Sequence, residues 1–327
     1  MSRRATRAAG RRALNILRIM TIAMQGCAYV DGEFVAPEDA KISIFDWGFL
    51  HSDATYDVAH VWQGRFFRLD DHLDRFQASL TALRLNPGVD RARMREVMHE
   101  CVRRAGLRDA YVELLCTRGR PAPGSRDPRT CVNRFMAFAI PFVWIATPER
   151  QRQGIELVVG SPRRIPAASV DPRIKNYHWL DFVMGLYEAY DRGAETVVLL
   201  DGEGNVTEGP GFNVFAVFAT GGAEGGRPRV VTADAGVLQG VSRLTVVELA
   251  RAAGFDVQLR ALPLAEFRRA DEIFLTSTGG GVIPIASLDG VPVGGRAPGV
   301  SGPVVKRLQR DYWALHDDPQ YGEAVRY

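Results

Sequence analysis

Apolar and polar residues alternate along the first part of the chain and then fall into a helical rhythm, so strands are expected first and helices after them. Tyr29-Val30, the turn pair Asp31-Gly32 and Phe34-Val35 read as a hairpin, and Lys41-Ile42-Ser43-Ile44 alternates like a further strand. A second hairpin is expected from residues 58–62 and 66–69 around Gln63-Gly64. Asp70 is placed to cap a helix carrying Leu73, Phe76, Leu80 and Leu83, and another helix is expected from about 90 to 105. The β-rich runs 111–117 and 134–141 flank a loop at 119–127 that contains Gly, Pro and Arg. These elements predict an α+β first domain over residues 25–145.

A linker is expected at 146–154, followed by a larger second domain at 155–315 in which helices and strands alternate. Its strands are expected at 155–159, 196–200, 213–218, 230–232, 256–259 and 272–276, and its helices at 180–192 and 242–253, with Lys306 in a terminal helix. The Gly-rich residues 221–228 suit an exposed hairpin loop, residues 316–327 a tail, and no internal repeat is visible.

Composition narrows the class. With 327 residues, 46 % hydrophobic and 24 % charged, the chain can build about two cores. Charged residues interrupt every apolar run before the roughly 20 residues of a membrane span. The four scattered cysteines, Cys27, Cys101, Cys116 and Cys131, match neither a zinc site nor a disulfide scaffold, so no metal and a reducing, cytoplasmic setting are expected. The net charge of +3 comes from the leader, residues 1–24, where six arginines and no acid fall before residue 21; the rest is mildly acidic. That balance argues against nucleic acid. The leader itself reads as a targeting peptide, a disordered tail, or an early start codon with Met20 or Met24 the true start.

Lysine is rare in this arginine-rich chain, occurring only at 41, 175 and 306. An isolated lysine is usually a solvated surface charge, but Lys175 lies among apolar and aromatic neighbours ahead of a helix, and only lysine can lose its proton and attack an aldehyde. Glu208 sits in the glycine turn Thr207-Glu-Gly-Pro-Gly-Phe-Asn213; it is either a plain turn acid or a carboxylate held against a pyridine nitrogen. Gly240-Val241-Ser242 opens a helix and so offers free amides to an anion, and Thr276-Ser-Thr278 with its three following glycines adds hydroxyls and amides. Neither is a nucleotide P-loop, so a lone phosphate fits better. Arg75 would add charge-assisted bonds, or would form an ion pair in its acidic segment. His60, His72 and His99 are assigned to structure or surface, and Asp70-Asp71 to helix capping.

In their order, Arg75, Lys175, Glu208, Val241-Ser242 and Thr278 resemble the fold type IV pyridoxal-phosphate (PLP) enzymes, over about residues 28–312. Phe49-Leu-His-Ser-Asp-Ala-Thr-Tyr-Asp-Val58, Val61-Trp62, Phe67-Arg-Leu-Asp-Asp-His72, Thr117-Arg-Gly119, Lys175-Asn-x-x-Trp179 and Glu208-Gly-x-Gly-Phe-Asn213 look specifically like the (R)-selective amine transaminases. The resemblance implies a small N-terminal domain and a larger pseudo-barrel domain with the cofactor at their interface. It also implies that Lys175 is the Schiff-base lysine and Glu208 the partner of the pyridine nitrogen. Arg75, the amides of Val241 and Ser242, and Thr278 would hold the phosphate, with Leu238 against the ring. His51, Tyr56, Val58, Tyr111, Glu113 and Trp179 would line the substrate pocket, and Arg126 would swing toward a keto-acid carboxylate. Tyr111 departs from the family's usual phenylalanine, Gly279 from a frequent alanine, and the 221–228 insertion is unusual.

The expected activity is therefore amino transfer from a primary amine, (R)-configured by resemblance, to a keto acid such as pyruvate, in a homodimer. A D-amino-acid or branched-chain aminotransferase, a PLP lyase, a non-catalytic PLP-binding relative and a ligand-free structural domain are the alternatives.

Overall fold

In chain order the first half forms strands β1 (Cys27–Val30) and β2 (Glu33–Val35), the single-turn helix α1 (Trp47–Leu50), strands β3 (Ala54–Trp62) and β4 (Arg65–Phe67), helices α2 (Leu69–Leu83) and α3 (Arg91–Ala105), and strands β5 (Ala110–Arg120) and β6 (Val132–Pro141). The second half supplies α4 (Pro148–Gln153), β7 (Ile155–Arg163), α5 (Leu180–Asp191), β8 (Thr196–Leu200), β9 (Glu208–Gly209), β10 (Phe212–Phe218), β11 (Arg229–Thr232) and α6 (Val241–Ala252). It ends with β12 (Asp256–Leu259), α7 (Leu264–Phe267), β13 (Glu272–Ser277), β14 (Gly281–Leu288), β15 (Val291–Pro292), α8 (Pro303–Ala314) and β16 (Gly322–Ala324). This computed structural model describes residues 24–219, 226–297 and 299–327; the leader before Met24 and most of the 221–228 loop lie outside the described residues.

The strands build two sheets, so the fold is α+β. One is antiparallel, in the order β16-β4-β3-β5-β6-β1-β2; the other is mixed and follows β12-β11-β10-β13-β14-β7-β8, with β9 paired to β10 and β15 to β14. Both predicted hairpins form, with Asp31-Gly32 and Gln63-Gly64 all at positive φ, the turn geometry that suits strand twist. Helices α2 and α3 cover the first sheet, burying Leu73, Phe76 and Leu80 from one and Met94, Val97 and Met98 from the other. Each such side chain contributes about 1.5–3 kcal/mol through removal from water. The second sheet has a core on each side, one around Leu275 and Ile283 and the other around Phe215 and Phe274.

Several elements differ from the sequence reading. Residues 41–44 form no strand: no neighbour pairs with them, Ile44 is 68 % exposed, and the segment runs into Asp46, which caps α1 through the Gly48 amide at 2.8 Å. Asp70 is not a cap. Helix α2 begins from Arg68 in a left-handed conformation, and Asp70 instead bonds Arg91 of α3 at 2.7 Å and also Arg95. The expected linker contains α4, capped by Thr147. The expected tail carries β16, which pairs with β4 at the edge of the first sheet. The three histidines do serve structure: His72 bonds Asp57 at 2.8 Å, His99 bonds Glu323 at 3.0 Å, and the buried His60 meets His316 at 2.8 Å.

Candidate active site

A cavity of about 220 Å³ opens where β3 and β5 of the first sheet face β9, β10 and β13 of the second. Lys175 enters it from the long segment between β7 and α5. Its main chain is pinned to the first sheet: the carbonyl accepts Thr55 Oγ1 at 2.7 Å and the Tyr56 amide at 3.2 Å, while its amide donates to Ser79 Oγ at 3.4 Å. Its Nζ lies 4.4 Å from the centre of the Tyr56 ring. Burial, aided by the charge of Arg75, lowers the lysine pKa to about 8 against the opposing pull of Asp57, Glu113 and Glu208. Near neutrality a useful fraction of the amine is therefore uncharged.

Asp57 organises the floor. It takes Arg75 Nε at 2.7 Å, Arg75 Nη2 at 2.8 Å and His72 Nδ1 at 2.8 Å. Burial opposes ionisation there, but the charge of Arg75 and the bonds from His72 and Arg75 outweigh it and hold the carboxyl well below its usual range. Arg75 Nη1 reaches the Gln239 carbonyl at 3.1 Å, which ties α2 to the loop ahead of α6.

Glu208, 5 % exposed, lies across the cavity on β9. Its Oε2 accepts the Leu238 amide at 2.8 Å and Asn213 Nδ2 at 3.4 Å, and its Oε1 accepts Arg164 Nε at 3.2 Å. Arg164 also bonds Asp181 at 2.7 Å and lies 4.2 Å over the Phe182 ring. Burial raises the Glu208 pKa, and Arg164 and the Leu238 amide resist that rise. Gly209 has to be glycine, because a Cβ there would fall 2.3 Å from the Val197 carbonyl oxygen.

The third side has the groups to seat an anion. Helix α6 starts from Gly240 with no side-chain cap, which leaves the Val241 and Ser242 amides at its positive end facing the cavity. Ser242 Oγ is 2.9 Å from the Tyr312 hydroxyl, and Thr278 and Gly279 close the seat from the end of β13. A Cβ on Gly240 would lie 2.3 Å from Asn213 Oδ1. Thr276 Oγ1, buried on the cavity wall, has no protein hydrogen-bond partner and is free to serve a bound molecule.

Of the expected site residues, Arg75, Lys175, Glu208, Leu238, Val241, Ser242 and Thr278 do line the cavity, as do Tyr56, Val58, Tyr111 and Trp179. Three do not. Glu113 stands one side chain behind the wall, bonded to the hydroxyls of Tyr111 and Tyr177. His51 is exposed and packs on Trp47, with ring centroids 4.7 Å apart, and Arg126 is exposed in the loop between β5 and β6. Sequence reasoning missed Arg164, Asn213, Asp57 and Tyr177. Asp57 and Tyr177 lay inside motifs already singled out, whereas Arg164 left no signal in a chain so rich in arginine.

The family model for amino-transferase class IV matches residues 54–288. A protein of Methanocaldococcus jannaschii named as a branched-chain-amino-acid aminotransferase is 31 % identical over 285 residues, 87 % of this chain and 94 % of that one. The D-alanine aminotransferase of Bacillus licheniformis is 28 % identical over 85 % of this chain and 93 % of its own. The crystal structure of the T.th. branched-chain amino acid aminotransferase with pyridoxamine 5'-phosphate superposes with a TM-score of 0.82 at 27 % identity, covering 92 % of this chain and 99 % of the other. With a buried lysine, a buried carboxylate and the uncapped start of a helix converging on one cavity, and with the family model matched over most of its length, the chain belongs to the class IV aminotransferases, PLP-dependent enzymes of fold type IV.

Proposed function

We propose that this aminotransferase moves the amino group of a carboxyl-free primary amine, (R)-configured by the likeness of its motifs, to a keto acid such as pyruvate. PLP fits the cavity: the α6 amides and Thr278 suit its phosphate, with Arg75, already paired to Asp57, beside them; Glu208 suits its ring nitrogen, Leu238 its ring face and Lys175 its aldehyde, and the unpartnered Thr276 hydroxyl asks for a polar ligand. When bound, the cofactor supplies an aldehyde for the amine and a ring that accepts electrons from the substrate carbon. Lys175 Nζ carries the proton to and from that carbon, a task suited to a base with a pKa of about 8. Glu208, where Arg164 works against the rise that burial imposes on its pKa, would hold a proton on the ring nitrogen.

The charge inventory of the cavity carries this reading. Both arginines lining it are engaged, Arg75 with Asp57 and Arg164 with Glu208 and Asp181, and the wall beside Lys175 is Tyr56, Val58, Tyr111 and Trp179. An apolar amine meets that wall without cost, whereas an amino-acid carboxylate finds no unpaired guanidinium among the described lining residues. The exposed Arg126 is the cation that would come to a keto-acid acceptor. A second reading, a branched-chain or D-amino-acid aminotransferase, is favoured by the names of the relatives. We also infer a homodimer, in which the exposed apolar residues Leu180, Met184 and Tyr187 of α5 are covered, and a cytoplasmic setting in keeping with the free thiols.

Initial rates with (R)-1-phenylethylamine, D-alanine and L-leucine, each with and without pyruvate, test the function. Fast reaction of the amine that depends on pyruvate is expected; an inert amine beside a reactive amino acid selects the second reading, and turnover without acceptor indicates a lyase. Lys175→Ala should lose the borohydride-reducible cofactor linkage, and Glu208→Gln should keep it while losing most turnover.

A further inference from the structure

Glu113 is a second buried carboxylate near the lysine, 7 % exposed, for which the amino transfer described so far has no task. It stands on β5 opposite Val58 of β3. A phenol takes each of its oxygens: Tyr177 donates to Oε1 at 2.8 Å and Tyr111 to Oε2 at 2.9 Å. Tyr177 is also stacked on Tyr56, with ring centroids 4.4 Å apart, and Tyr56 in turn lies 4.4 Å from Lys175 Nζ. One tyrosine thus joins the lysine segment, the substrate wall and the carboxylate behind it.

We propose that Tyr177 is a specificity-determining positioning residue: by its hydrogen bond to Glu113 it favours the charged form of that carboxylate behind the substrate wall, and the charge opposes ligands that carry a carboxylate and leaves neutral ones unaffected. The proposal deepens the amine-transaminase reading and rests on it for the substrate class. In a low-dielectric wall a like charge one side chain away is weakly screened, so the opposition survives ordinary salt.

The charges that face Glu113 are few. From the lysine segment, Lys175 favours the anion; from β3, Asp57 opposes it, although Asp57 is itself paired to Arg75 and His72 of α2. Tyr56, Tyr111 and Tyr177 are all pushed up by burial and by the Glu113 charge, so they stay neutral donors. Burial raises the Glu113 pKa, and the Tyr177 and Tyr111 hydroxyl bonds pull against it. Removing the Tyr177 hydroxyl therefore lets Glu113 take up a proton at a higher pH and abolishes the opposition there.

The holoenzyme tests this with a matched pair of unreactive ligands, propanoate and propanamide, titrated calorimetrically between about pH 5 and 9, and with kcat/KM for pyruvate relative to propanal over the same range. Both acceptors meet the same enzyme form, so the titration of Lys175 cancels in their ratio. In the native enzyme the carboxylate-to-neutral ratio should fall as pH rises through the Glu113 ionisation. In Glu113→Gln, which keeps the shape and loses the charge, propanoate should bind roughly tenfold tighter at the alkaline end, with propanamide unchanged and the pH trend gone. In Tyr177→Phe, which keeps the stack on Tyr56, the fall should move to higher pH. A Gln variant that strengthens both ligands alike, or neither, overturns the proposal, as does a Phe variant whose midpoint stays in place. If (R)-1-phenylethylamine proves inert while the ligand pair still responds to both substitutions, the substrate class is wrong and the role of Tyr177 stands.

Discussion

Arg164 divides its guanidinium between Glu208, at 3.2 Å, and Asp181, at 2.7 Å, and it supplies the charge that favours the ionised form of a buried carboxylate against the cost of burial. Arg164→Gln should lower kcat roughly 10- to 100-fold with a smaller change in KM, and Arg164→Lys should recover part of the loss. Steady-state kinetics with whichever of (R)-1-phenylethylamine, D-alanine and L-leucine reacts fastest decide it, and an unchanged kcat in the Gln variant removes Arg164 from the site's electrostatics. Lys175 gives a pH prediction. Because only its neutral amine can capture the aldehyde, the rate at which apoprotein takes up PLP should climb about tenfold per pH unit below about pH 8 and level off above it. A rate indifferent to pH would show that the enclosed lysine is not the group being titrated. At this scale the sequence disclosed what was rare or conformationally demanding, namely Lys175, one of three lysines in an arginine-rich chain, and a glutamate in a glycine turn. It hid what depends on distant partners: Tyr177 bonds a carboxylate 64 residues away, and Arg164 one 44 residues away.

Element by element, periodicity succeeded where one face is buried and failed where a neighbour decides. Helix α2 was readable because Leu73, Phe76 and Leu80 recur on its inner face, and α3 because Asp90 caps it through the Arg93 amide at 2.8 Å and Gly106 ends it at φ 66°. The alternation at residues 41–44 looked equally regular, yet with no strand alongside it stays irregular. Strand β16 was illegible for the opposite reason: it is three residues long, and β4 creates it by pairing. Its continuation is part of the first core, since Val325 is buried there and its amide bonds the Gly64 carbonyl at 2.9 Å. Val325→Asp should therefore cost about 3 kcal/mol by burying an unpaired charge. Urea unfolding followed by far-UV circular dichroism measures it, and an unshifted midpoint would show that the strand adds nothing to the sheet.

For the whole molecule, composition suggests room for about two cores, whereas the described residues build one under the first sheet and one on each side of the second; the cleft between the sheets is where a ligand would be expected. Surface composition alone could not reveal that Leu180, Val183, Met184 and Tyr187 share one exposed face of α5, because helical spacing shows only which residues lie together and not what covers them. If a second copy covers that face, sedimentation equilibrium should give twice the chain mass of 36.1 kDa. Met184→Asp should then shift the mass toward one chain, and a native protein that sediments as a single chain would dismiss the dimer.

The strand that finishes the first sheet has a further consequence. Arg65 and the Gly322 carbonyl it bonds are separated by 257 positions. During synthesis β4 therefore waits, one edge bare, while the whole second sheet is translated, and a nascent chain stalled before residue 322 presents an open edge to any passing strand.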